Sequence, residues 1–111
     1  MPAKQTPGDA YRKLKLRRPE CLLAFGVGSM IEFVRSDAWE VARLAQEQIV
    51  RPAGYDAVVI HSAKFFSLVR RLNCMGKSIV LIARQTAPSG KWVYFEAGMF
   101  KPNLLGTAHG D

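Results

Sequence analysis

The sequence predicts an α/β protein built on a mixed, partly antiparallel sheet flanked by helices. Short apolar runs bounded by glycine, proline or polar residues (CLLAFGV, DAVVI and SIVLIAR) have the length of buried strands. Segments with apolar residues at helical spacing lie between them, and Gly28-Ser29 joins two apolar runs as a two-residue hairpin, which makes part of the sheet antiparallel.

Each element has its own signal. Residues 1–8 read as a loose basic arm with nothing to bury. Asp9 is placed to cap a first helix over Ala10 to Arg18, its carboxylate accepting the first N–H groups and matching the positive end of the helix dipole. Cys21 to Val27 is a buried strand and Met30 to Val34 the returning one. Alternation sets Met30, Glu32 and Val34 on one face and Ile31 and Phe33 on the other. Ser36 reads as the cap of a second helix over Asp37 to Glu47, where Ala38, Val41, Ala42 and Ala45 recur at helical spacing. Gln48 to Arg51 is a short strand, Pro52-Ala53-Gly54 a break and Asp56 to Ile60 a buried strand. Ser62 caps a third helix running to Cys74, with Phe65, Leu68, Val69 and Leu72 on one side, and Gly76 ends it. Ser78 to Arg84 and Lys91 to Glu96 are the last strands, separated by a loop over Thr86 to Gly90. The whole forms a single domain over residues 9–103, with residues 104–111 as a tail.

Composition bounds the function. The 111 residues suffice for one core, and 49% apolar with 23% charged residues is ordinary globular usage. No uncharged run approaches the ~18 apolar residues of a membrane span, and the basic, polar N-terminus does not resemble a secretory signal. Cys21 and Cys74 fall in expected core positions as free thiols, which predicts a reducing, cytoplasmic setting. Lys and Arg number 16 against 9 Asp and Glu, a net charge of +7. Residues 1–18 supply six bases (Lys4, Arg12, Lys13, Lys15, Arg17 and Arg18) against Asp9 alone, so most of the excess lies there. Such a chain attracts polyanions.

No catalytic constellation emerges. Gly26-x-Gly28 lacks the third glycine and the following helix of a dinucleotide fingerprint, and Gly76-Lys77-Ser78 joins a helix to a strand, the reverse of a phosphate loop. His61 and His109 have no second metal ligand near them, and His61-Ser62 reads as a strand-to-helix corner. Glu32 and Asp37 read as a solvated hairpin face and a helix-start charge. The expectation is a protein without enzymatic activity, cofactor, metal or small-molecule substrate.

The hairpin and its surroundings resemble the N-terminal mismatch-recognition domain of the MutS DNA mismatch repair family. The matching residues are Tyr11-Arg-Lys-Leu-Lys15, Pro19 through Gly28-Ser-Met-Ile-Glu32-Phe33, Asp37-Ala38, Ala53-Gly54-Tyr55, His61-Ser-Ala63, Leu72-Asn-Cys-Met-Gly76 and Ser78 to Gln85, about three quarters of the chain in the family's order. In that family a Phe-x-Glu motif on the hairpin wedges a ring into the minor groove and hydrogen-bonds the displaced base through the carboxylate. Here Met30 stands at the Phe position and Glu32 at the Glu position. Methionine lacks the ring that stacks on a base, yet it serves as an apolar wedge in minor-groove binders.

The resemblance implies DNA, duplex, mismatched or bulged, as the partner, with Ser29, Met30 and Glu32 at the hairpin and Arg12, Lys13, Lys15, Arg17, Arg18 and Arg35 on phosphates. MutS proteins carry their clamp, lever and ATPase on much longer chains, so the resemblance points to a stand-alone module, similar to those carried by mobile elements. Two other readings belong to different classes. One is a protein-interaction module that uses the Met30 to Val34 face or the strand Trp92 to Tyr94. The other is RNA binding through Trp92 and Tyr94.

Overall fold

The computed structural model describes residues 5–102, so Lys4, His109, the start of the arm and the tail 104–111 lie outside the described residues. Its elements run α1 (Pro7–Arg17), β1 (Cys21–Val27), β2 (Met30–Val34), α2 (Arg35–Ala45), β3 (Ala57–His61), a 3-10 turn (Ser62–Lys64), α3 (Phe65–Cys74), β4 (Ser78–Thr86) and β5 (Trp92–Phe100). The strands form one sheet in the order β3-β2-β1-β4-β5. Only β1 and β4 pair in parallel; the other neighbours are antiparallel. The mixed α/β class is therefore as expected.

Period-two alternation divides the core. One face of the sheet sends Leu22, Ala24, Ile31, Phe33, Val58, Ile60 and Ile79 against α2 and α3. The opposite face sends Cys21, Leu23, Phe25, Val34, Val80 and Ile82 against Ala10, Tyr11 and Leu14 of α1. Helix α3 buries Phe65, Leu68, Val69 and Leu72, the side its spacing predicts, and Gly76 follows it at φ 82°. At the hairpin turn, Gly28 takes φ 62°, which glycine adopts at little steric cost.

Several boundaries differ from expectation. Helix α1 begins at Pro7, and its cap is Thr6. The Thr6 hydroxyl accepts the Asp9 N–H while the Asp9 carboxylate accepts the Thr6 N–H, a reciprocal capping box that leaves Asp9 inside the first turn. Pro7 and Gly8 are buried, so they belong to the packed body and not to an arm. Helix α2 starts directly after Val34, whose apolar side chain cannot cap it, and Ser36 lies inside the first turn with its hydroxyl hydrogen-bonded to the Tyr11 hydroxyl at 2.8 Å. It stops where Gln46 turns left-handed at φ 57°.

Gln48 to Arg51 does not form a strand; its pairing is reduced to one bridge between Val50 and Ala57. The His61 side chain, and not Ser62, caps the start of the third helical segment by accepting the Ala63 N–H. Cys21 is buried but Cys74 is exposed, at the end of α3. Strand β5 continues past Glu96 to Phe100, because a bulge at Ala97 absorbs one residue between the pairs Ile82–Glu96 and Leu81–Gly98.

Candidate nucleic-acid interface

Strand β2 lies inside the sheet between β3 and β1, so the β1–β2 hairpin exposes its turn while its body is paired on both sides. Ser29 is exposed at that turn, where its carbonyl accepts the Ser62 N–H at 2.8 Å. Met30 and Glu32 share the face covered by α1, as alternation requires, and both are half-buried. Met30 pairs with Val27 on one side and His61 on the other; Glu32 pairs with Phe25 and Val59.

Glu32 is thus half-buried and not the fully solvated hairpin charge expected. It accepts the Tyr55 hydroxyl at 3.3 Å, and burial pushes its carboxyl above the usual carboxylate range, with Tyr55 and Arg84 opposing that shift. Tyr55 is the partner that sequence reasoning missed. It lies 23 positions away along the chain, and no local pattern links the two.

Asp37 serves a different purpose. It is buried, its Oδ2 accepts the Leu23 N–H at 3.0 Å and its Oδ1 accepts the Lys15 ammonium at 2.8 Å. Lys15 also donates to the Cys21 carbonyl, which ties α1, β1 and α2 together through one cation. Arg18 forms a two-pronged pair with Glu96, both bonds at 2.9 Å, which holds the Glu96 carboxyl below its ordinary range. Both bases, expected on phosphates, are engaged inside the chain.

The remaining bases divide into two neighbourhoods. Arg12, Lys13 and Arg17 are exposed on α1 and form no ion pair among the described residues. Arg12 borders a groove of about 820 Å³ between α1 and the start of α2, shared with Tyr11, Leu16, Arg35 and Ser36. Arg35 adopts a left-handed φ of 55°, donates its Nε to the Gly8 carbonyl at 2.8 Å and rests over the Tyr55 ring. Lys13 and Arg17 instead line a hollow beside Trp92 and Tyr94 of β5. There the Arg84 guanidinium stacks 3.6 Å from the Trp92 ring centre, and the Tyr94 hydroxyl donates to the Gln5 carbonyl at 2.6 Å.

The candidate residues therefore do not form one patch. The turn with Ser29 and Met30 sits at one end of β2, and the Arg35 groove follows the other end, about 13 Å away at strand rise. Lys13 and Arg17 lie against β5. Among the described residues no group of three metal-binding side chains occurs, and no helix is long and apolar enough to cross a membrane. No protein-family model matches this chain, and no curated protein matches it.

Proposed function

We propose that this protein binds DNA, duplex or locally distorted, through the exposed bases of α1 and the end of the sheet that carries the β1–β2 turn. The observation that carries the reading is the set Arg12, Lys13 and Arg17, three exposed bases on one helix that form no ion pair among the described residues, two of them beside the aromatic residues Trp92 and Tyr94. Bases without an ion-pair partner among the described residues are free to replace the counter-ions of phosphates. The likeness of the hairpin to the MutS mismatch-recognition domain supports the same partner.

Met30 and Glu32 give the reading its selectivity. A half-buried thioether next to a carboxyl meets an intact duplex poorly, because the carboxylate faces phosphates. An unstacked base supplies the hydrogen-bond partner that offsets this cost. Fluorescence anisotropy on matched, mismatched and bulged duplexes across a salt series tests it. Glu32→Ala is expected to tighten binding to matched duplex, and Met30→Ala to weaken binding to distorted duplex. Equal effects of each substitution on all duplexes remove the selectivity, and a protein that is not retained on any duplex at low salt removes DNA as the partner.

One observation favours a second reading, a protein-interaction module. Val93 and Phe95 present apolar side chains to solvent on the opposite face of β5. A salt-insensitive complex with a protein, together with no DNA retention, is the result that would select it.

A further inference from the structure

Strand β5 is the outer strand of the sheet beyond β4, so one of its two rows of main-chain groups faces away from the sheet. The β4–β5 hairpin closes with the Ala87 N–H donating to the Lys91 carbonyl at 2.8 Å. Alternation from that bond turns the main-chain groups of Val93 and Phe95 toward β4 and those of Tyr94 and Glu96 outward. Val93 and Phe95 lie together on the face opposite α1 and are 46% and 42% exposed. Natural edges are guarded by lysine, proline, an unpaired charge or a bulge, and the bulge of β5 lies at Ala97, just past the apolar pair Val93 and Phe95. The strip Val93 to Glu96 has no lysine or proline, and its one charge, Glu96, is held by Arg18 of the same chain.

We infer that this strip is a pairing edge for a second copy of the chain, with two β5 strands joining antiparallel about a two-fold axis at Tyr94 to make one sheet continuous across both copies. The register follows from the outward groups. Tyr94 opposite Tyr94 of the second copy exchanges two main-chain hydrogen bonds. It also sets Val93 of each copy against Phe95 of the other, in the close, non-hydrogen-bonded position about 4.5 Å apart at Cα. A register centred on Glu96 would oppose two like charges, and one centred on Phe95 would set Val93 opposite Ala97 and lose the Val93–Phe95 apolar pairs. The contact is self-complementary, as a two-fold interface must be.

Charge leaves a second copy few approaches other than this strip. A chain of net charge +7 repels its own copies over most approaches, but this strip carries no base. The axis of an antiparallel pair stands perpendicular to the sheet, so the α1 helices of both copies fall on one side. Lys13 and Arg17 of each copy flank the axis there, a like-charge cost that salt screens, and the apolar pairs close the opposite side. The pairing itself does not depend on DNA binding.

Sedimentation velocity over a protein concentration series, at a salt concentration that screens the α1 bases, tests the pairing. The unaltered chain is expected to pass from monomer to dimer as concentration rises. Val93→Lys/Phe95→Lys, at two sites that face solvent, is expected to stay monomeric, with a Tm equal to that of the unaltered chain at concentrations where that chain is monomeric. A cross-link tests the register. Val93→Cys/Phe95→Cys in a Cys74→Ser background is expected to form a disulfide-bonded dimer under mild oxidation, and neither single cysteine variant is. Residues two apart on one strand face lie too far from each other to bridge within a chain. A monomer at every concentration, or a dimer that the lysine substitutions leave intact, overturns the inference. If the unaltered chain is monomeric and the lysine variant loses Tm, the strip is covered from within the same chain.

Discussion

Two carboxylates of similar sequence context have opposite roles, and the difference lies in what each side chain touches. Asp37 is buried with two internal donors, the Lys15 ammonium and the Leu23 N–H. Asp37→Ala leaves both without an acceptor and is expected to cost about 3 kcal/mol, near the lower range for removing one partner of a buried pair. Asp37→Asn, which keeps an acceptor for Leu23, is expected to cost less; urea unfolding of the two variants checks the order. Glu32 is half-buried with one hydroxyl donor, and its carboxyl is pushed above its ordinary value of 4.5. A group whose folded pKa is raised binds its proton more tightly when folded. Its ionisation therefore opposes folding above the ordinary value, and the penalty disappears once both states are protonated below it. Glu32→Gln keeps an acceptor for Tyr55 and is expected to raise Tm at about pH 7 while leaving it nearly unchanged at about pH 4. A variant with lower Tm at neutral pH would show that the ionised carboxylate is a net stabiliser.

At the scale of elements, the strands were the most legible. Cys21–Val27 and Met30–Val34 occupy their expected spans, because a short apolar run between a proline and a glycine turn has few alternatives. Alternation also placed Met30 and Glu32 on a shared face. It could not show that α1 covers part of that face, because helix packing is set by contacts distant in sequence. The helix starts were less legible for a related reason. Asp9 and Ser36 are both good capping residues by type, yet Thr6 fills the cap of α1 and Ser36 is drawn to Tyr11, 25 positions away. Gly8 shows most clearly what sequence alone conceals. In an arm it would be an ordinary flexible residue, but within α1 it lets the helix approach the Tyr55 ring. A Cβ at this position would sit 2.6 Å from that ring. Gly8→Ala must therefore move either α1 or Tyr55, the residue that holds Glu32 and lies beneath Arg35. It is expected to destabilise the fold by about 1–3 kcal/mol despite alanine's better helix propensity. A Tm equal to or above that of the unaltered chain would mean that the ring gives way freely.

At the scale of the molecule, net charge was legible but its distribution was not. Composition assigned the excess to the first eighteen residues, and six bases there looked equivalent. Folding separates them: Lys15 and Arg18 are neutralised by Asp37 and Glu96, while Arg12, Lys13 and Arg17 have no such partner among the described residues. If DNA binding depends on those three, salt dependence reports them directly, because each phosphate contact contributes about −0.9 to the slope of log affinity against log salt. With Arg35 as a fourth contact the slope is expected near −3.6, and Arg12→Glu/Lys13→Glu/Arg17→Glu is expected to reduce its magnitude by roughly 2.7. Arg18→Gln is expected to lower Tm slightly by releasing Glu96 but to leave the slope in place. An unchanged slope in the triple variant, with folding intact, would move the phosphate contacts away from α1. A slope that falls equally with Arg18→Gln would mean that the Glu96 pair opens when DNA arrives.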